Sequence, residues 1–119
     1  MSQKEEATNK RERVGFRFFR LSRDQVDKVA KIYPKASIRP SRVSSGHYVV
    51  SWWLEEIETY DWLMDFLTEA KLGYEDYGLW VSLRTDSDSD IIRVPQFALE
   101  LSRRVGGVID FSYTIIGQE

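Results

Sequence analysis

The chain has 119 residues, 42% hydrophobic and 13% aromatic, which is one domain's worth with enough apolar side chains for a core that needs no staples. It has no cysteine, which excludes a disulfide framework, a thiol nucleophile and any thiolate-bound zinc or iron–sulfur centre. A net charge of −2 hides a segregation, because residues 1–54 carry +7 and residues 55–119 carry −9; a fold that turns this into a dipolar surface draws partners of opposite sign to different sides.

The opening MSQKEEATNKRER is polar, of mixed charge, and has no apolar h-region. It predicts a disordered tail over 1–13 rather than a secretory signal, with a single α+β domain over 14–119. No apolar run approaches the roughly 20 residues that span a bilayer. A cytoplasmic protein with no membrane partner and no cofactor is the expectation.

VGFRFFR (14–20) reads as a strand with Val14, Phe16 and Phe18 on one face. A helix follows. Ser22 and Gln25 make a capping box, Leu21 and Val26 a hydrophobic staple, and Pro34 a stop. SIRPSRV carries a proline and reads as an edge strand or irregular chain. HYVVSWWL (47–54) is a strong strand after a Ser-Ser-Gly turn. A second helix is predicted over 60–72, with Thr59 as N-cap, Asp61 in the first turn and Gly73 just past the end. GLWVSLR (78–84) alternates with Leu79, Val81 and Leu83 inward. DIIRV reads as a short strand after an acidic turn. Pro95 opens a third helix whose stripe is Phe97, Ala98, Leu101 and Val105, and Gly106-Gly107 end it. VIDFSYTII alternates Ile109, Phe111, Tyr113 and Ile115 against Asp110, Ser112 and Thr114, which predicts one buried and one wet face.

The expected fold is α+β in two layers: a mainly antiparallel twisted sheet with helices on one face. The order is β-α-β-β-α-β-β-α-β, and its first six elements match the split β-α-β (ferredoxin-like) order. Pro40-Ser41, Gly46, SWWL (51–54), WLMDFL (62–67) and LSRRVGGVIDFSYTI (101–115) together resemble a family of small, mostly bacterial α+β domains of unknown function. The resemblance covers about residues 14–116 and implies the fold. By class, such domains also resemble immunity proteins encoded beside secreted toxins.

Several sites can be weighed from spacing. DSDSD (86–90) places Asp86, Asp88 and Asp90 at every second position. An EF-hand loop numbered from Asp86 would need Gly at position 6 and Glu at position 12, where this chain has Ile91 and Phe97. The stretch therefore reads as a polar hairpin tip. Glu55, Glu56, Glu58 and Asp61 crowd seven positions, and carboxylate pairs serve acid–base chemistry only where their environments differ. His47 is the only histidine. No Gly-x-Ser-x-Gly elbow accompanies it, and one His without Cys is a poor start for zinc. The glycines have neither P-loop nor Rossmann spacing.

The sheet face away from the helices is expected to carry Arg17, Phe19, Trp53 and Trp80. Large exposed aromatics on a wet sheet mark a binding surface. One reading is a non-enzymatic protein-binding domain of the immunity type. It would use these residues together with Glu55, Glu56, Glu58, Asp86, Asp88 and Asp90 to occlude a basic toxin, with a homodimer as another way to cover the face. The alternative is a single-stranded nucleic-acid module on the aromatic face. Against it stand the missing RNP1 run and a pI near 5.5. A third reading is a carboxylate-dependent hydrolase.

Overall fold

The computed structural model describes residues 10–56, 59–86 and 91–116, with the backbone alone for Lys10. Strand β1 spans Lys10–Leu21, helix α1 Arg23–Ile32, strands β2 and β3 Ser37–Pro40 and Tyr48–Trp53, and helix α2 Asp61–Ala70. A 3-10 turn at Tyr74–Asp76 leads into β4, Tyr77–Thr85. Helix α3, Gln96–Val105, and strand β5, Val108–Ile115, complete the chain.

The five strands form one sheet in the order β2-β3-β1-β4-β5. β1 pairs antiparallel with β3 and β4, β2 antiparallel with β3, and β5 parallel with β4. The first four strands thus take the split β-α-β arrangement. The β4-α3-β5 unit adds a fifth strand through a helical crossover, as a parallel pair requires. This is the expected α+β two-layer architecture.

All three helices bury their stripes on one face of the sheet. Alternation explains which residues they meet: Val14, Phe16 and Phe18 of β1, Val50 and Trp52 of β3, and Leu79 and Val81 of β4 all lie in the core. Val26 and Val29 cover it from α1, Leu63, Phe66 and Leu67 from α2, and Ala98, Leu101 and Val105 from α3. Phe16 stacks on Trp52 with centroids 5.3 Å apart, and Phe18 meets Phe66 edge-on at 5.3 Å. Such pairs contribute about 0.5–1.5 kcal/mol beyond the area they bury.

The expected capping box is present. Ser22 Oγ accepts from the Gln25 N–H at 3.3 Å, and Gln25 Oε1 accepts from the Ser22 N–H at 2.8 Å. Other local signals yielded to tertiary packing. β1 starts at Lys10, so residues 10–13 of the expected tail belong to the sheet. The N-cap of α2 is Tyr60, not Thr59, because the Tyr60 ring is buried and its hydroxyl accepts from the Glu55 N–H at 3.0 Å. The left-handed C-cap is Lys71 rather than Gly73. Pro95 is the N-cap of α3, one position before the helix.

The DIIRV strand is not formed among residues 91–94. Ile92 and Val94 pack on the core instead, and the Arg93 N–H donates to Glu12 Oε2 at 3.1 Å. The hairpin expected around DSDSD therefore lacks its second strand. Asp88 and Asp90 lie outside the described residues.

The expectation that β5 buries Ile109, Phe111, Tyr113 and Ile115 is overturned. They are 42%, 61%, 40% and 51% exposed. Their alternation is real, but β5 is the terminal strand and the three helices pack over β1, β3 and β4, leaving this stripe uncovered.

Candidate functional site

The sheet face opposite the helices carries the odd-numbered residues of β1 and the side chains in register with them. Gly15 is the pivot. It lies directly opposite Trp53 on β3 and opposite Trp80 on β4. Those strands are separated by two strand spacings, about 10 Å. Because residue 15 has no side chain, both indoles lean over it and stack, with centroids 4.7 Å apart and planes 29° apart. A Cβ at Gly15 would sit 3.3 Å from Cε3 of each indole and 3.0 Å from the Trp52 carbonyl oxygen.

Arginines flank this pair. The Arg13 guanidinium lies 4.0 Å from the Trp53 ring centroid, and Arg17 lies 4.5 Å from Trp80 and 5.8 Å from Phe19. A guanidinium over an aromatic face gains about 0.5–1 kcal/mol where exposed, and more where desolvated. Stacking also leaves the in-plane N–H groups directed outward, in the fork that suits phosphate or carboxylate oxygens. Partial burial lowers the Arg17 pKa. Asp110 opposes that shift and Arg39 adds to it. Arg17 remains a cation at neutral pH all the same.

Register extends the basic surface. Arg11 pairs across from Arg84, and both share the face of Arg13. Arg39 of β2 shares it too, opposite Val49. Among the described strand residues this face holds five arginines (11, 13, 17, 39 and 84) and one carboxylate, Asp110 of β5, which is paired in register with Trp80. Ser51, Ser82 and Ser112 lie between them.

At the β3 end the face runs into a groove of about 410 Å³ lined by Arg13, Lys35, Ser37, Trp53, Glu55 and Trp80, among others. Trp52 and Tyr33 border it from the core side. The Trp52 indole N–H is buried and has no acceptor among the described residues.

Arg17, Phe19, Trp53 and Trp80 are thus brought together on the open face. The acidic residues are not gathered with them as a set. Glu55 borders the groove, whereas exposed Glu56 and Asp61 line a separate, smaller cleft with Phe97 and Arg104. Asp86 directly follows β4, while Glu58, Asp88 and Asp90 lie outside the described residues. Several acids of the C-terminal half are held in exposed intrachain pairs: Asp61 with Arg104 at 3.2 Å, Glu69 with Lys28 at 3.4 Å, and Asp76 with Arg20 at 3.3 Å. His47 Nδ1 lies 2.7 Å from Ser44 Oγ in the turn before β3. No group of three or more His, Asp or Glu with metal-binding geometry occurs among the described residues.

Arg11, Arg13, Arg39, Arg84 and the glycine between the tryptophans were missed from sequence. The signal for the β1 arginines was available, since R-x-R-x-G-x-R in a strand places all three arginines on one face. The role of Gly15 depends on what lies opposite it, which only pairing register reveals. Compared with protein-family models, curated proteins and solved structures, the chain matches none of them. No described helix is long and apolar enough to cross a membrane.

Proposed function

We propose that the chain is a non-enzymatic binding module that takes single-stranded nucleic acid on its open sheet face. The observation that carries this reading is the stacked Trp53–Trp80 pair flanked by Arg13 and Arg17, on a face with five arginines and a single carboxylate. Arginine forks meet the phosphates. Trp53 and Trp80 are half-buried and lie under Arg13 and Arg17, so bases stack first on the planar guanidiniums and reach the indoles where an arginine swings aside to a phosphate. The overall pI near 5.5 does not count against it, because the described acids lie mostly in the helix layer and beyond the ends of the strands.

Titration of mixed-sequence single-stranded oligonucleotides into the protein, followed by tryptophan fluorescence at several salt concentrations, tests the proposal. Binding is expected to quench Trp53 and Trp80 and to weaken with salt. Arg17→Ala is expected to lower the salt slope by about 1. Trp53→Ala is expected to weaken binding by about 1–3 kcal/mol. No binding at low salt sinks the reading. Binding to an acidic protein with none to oligonucleotides replaces it with a protein-docking function for the same face.

The immunity-type reading draws on a different surface. It requires acids that are not already held by intrachain pairs. Glu56 and Asp65 are exposed, and co-purification of a basic protein that dissociates on Asp65→Lys would favour it.

A further inference from the structure

We infer that β5 is a self-association edge, through which two copies of this chain pair their β5 strands antiparallel about a two-fold axis. β5 is the last strand of the sheet, and its outer edge faces no other strand among the described residues. Soluble proteins blunt such edges with proline, lysine or brief strands. β5 has eight residues, VIDFSYTI, with no proline, no basic residue and a single charge. Its helix-side stripe is the exposed row Ile109, Phe111, Tyr113 and Ile115.

The stripe selects a second copy because it is self-complementary. Directly opposed residues in an antiparallel pair point to the same side, so only a register that sums to an even number keeps apolar against apolar. Centred on Ser112, the pairing sets Ile109 against Ile115 of the partner subunit and Phe111 against Tyr113 of the partner subunit. Asp110 then meets Thr114 of the partner subunit, so the single charge of the strand never faces its own copy. At the observed exposures, the four residues offer on the order of 400 Å² per chain. Lateral pairing covers the flanks of these side chains, so two copies bury at most about 800 Å² of this stripe before the main-chain ladder is counted, at the low end of specific interfaces. The axis stands perpendicular to the sheet, so both arginine–tryptophan faces look the same way.

The inference does not depend on what the open face binds, and its test contains no nucleic acid. Sedimentation across a concentration series is expected to show a reversible dimer. Phe111→Glu is expected to leave a monomer with an unchanged thermal melt, since residue 111 is exposed, and Ile115→Lys gives the same result independently. The chain has no cysteine, so Ser112→Cys installs one thiol on the axis, within the Cα separation that a disulfide spans. Mild oxidation is expected to yield a covalent dimer, and to fail in the Phe111→Glu background. A wild-type chain that is monomeric throughout, a dimer that survives Phe111→Glu and Ile115→Lys, or no cross-link through residue 112 overturns the inference.

Discussion

Gly15 shows how one missing side chain sets the chemistry of a face. Alanine there would place a methyl 3.3 Å from both indoles and 3.0 Å from a backbone oxygen, so the pair must part or the strands must shift. Two indoles stacked at 4.7 Å couple their transitions and give a paired positive and negative band in the far-ultraviolet circular dichroism. That couplet is expected to vanish in Trp80→Ala and to collapse in Gly15→Ala, with about 1–3 kcal/mol lost in the latter. A Gly15→Ala protein with an intact couplet would show that the glycine is dispensable. Tyr77 makes a second residue-scale case. Its hydroxyl donates to the Val105 carbonyl and ties β4 to the end of α3. Burial, then Tyr74 and Asp76, raise its pKa above the ordinary value of 10.0. The folded pKa exceeds the unfolded one, so the contribution is complete below the unfolded pKa and is lost as pH rises through the folded pKa. Tyr77→Phe is therefore expected to cost about 1 kcal/mol at neutral pH. It should also flatten the alkaline fall in stability, as read from urea denaturation across that range.

At the scale of elements, the legible parts were those whose instruction is local. The box at Ser22 and Gln25, the Pro34 stop and the alternation of β1, β3 and β4 each act within a few residues, and the structure follows them. The parts that misled depend on distant partners. Tyr60 replaces Thr59 because a buried ring outweighs a hydroxyl cap. Residues 91–94 have β-branched side chains but join no strand, and β5 alternates with no described helix laid over its apolar side. The β4–β5 junction has its own tight point. A Cβ on Gly78 would lie 2.0 Å from the Val108 carbonyl oxygen, so these parallel strands start in register only because Gly78 has no side chain. Gly78→Ala is expected to loosen β5 selectively. In hydrogen exchange its amides should lose protection while those between β1 and β3 keep theirs. Uniform loss across the sheet would mean that β5 is integral to the cooperative core.

At the scale of the whole molecule, the charge segregation in the sequence becomes a layering. The N-terminal half supplies four of the five arginines on the open face. The C-terminal half supplies α2 and the 3-10 turn, where carboxylates outnumber bases. The division by sequence position left it to the fold whether a dipole would form, and it did not show that alternation along β1 would concentrate the arginines on one side, nor that Glu69 and Asp76 would be partly neutralised by Lys28 and Arg20. On the proposed reading, a molecule built this way meets a polyanion sheet-first and turns its helix layer away.

The opposite margin of the sheet behaves quite differently from β5. β2 is only four residues long, exposed throughout, and it ends in Pro40 beside Arg39. Proline withholds an N–H, and a stub this short offers few bonds to an incoming strand. A chain with two receptive margins would add copies without limit and lengthen into a filament. On the proposed pairing, one receptive margin and one blunt one end strand addition through β5 at two copies, a stop against fibre growth.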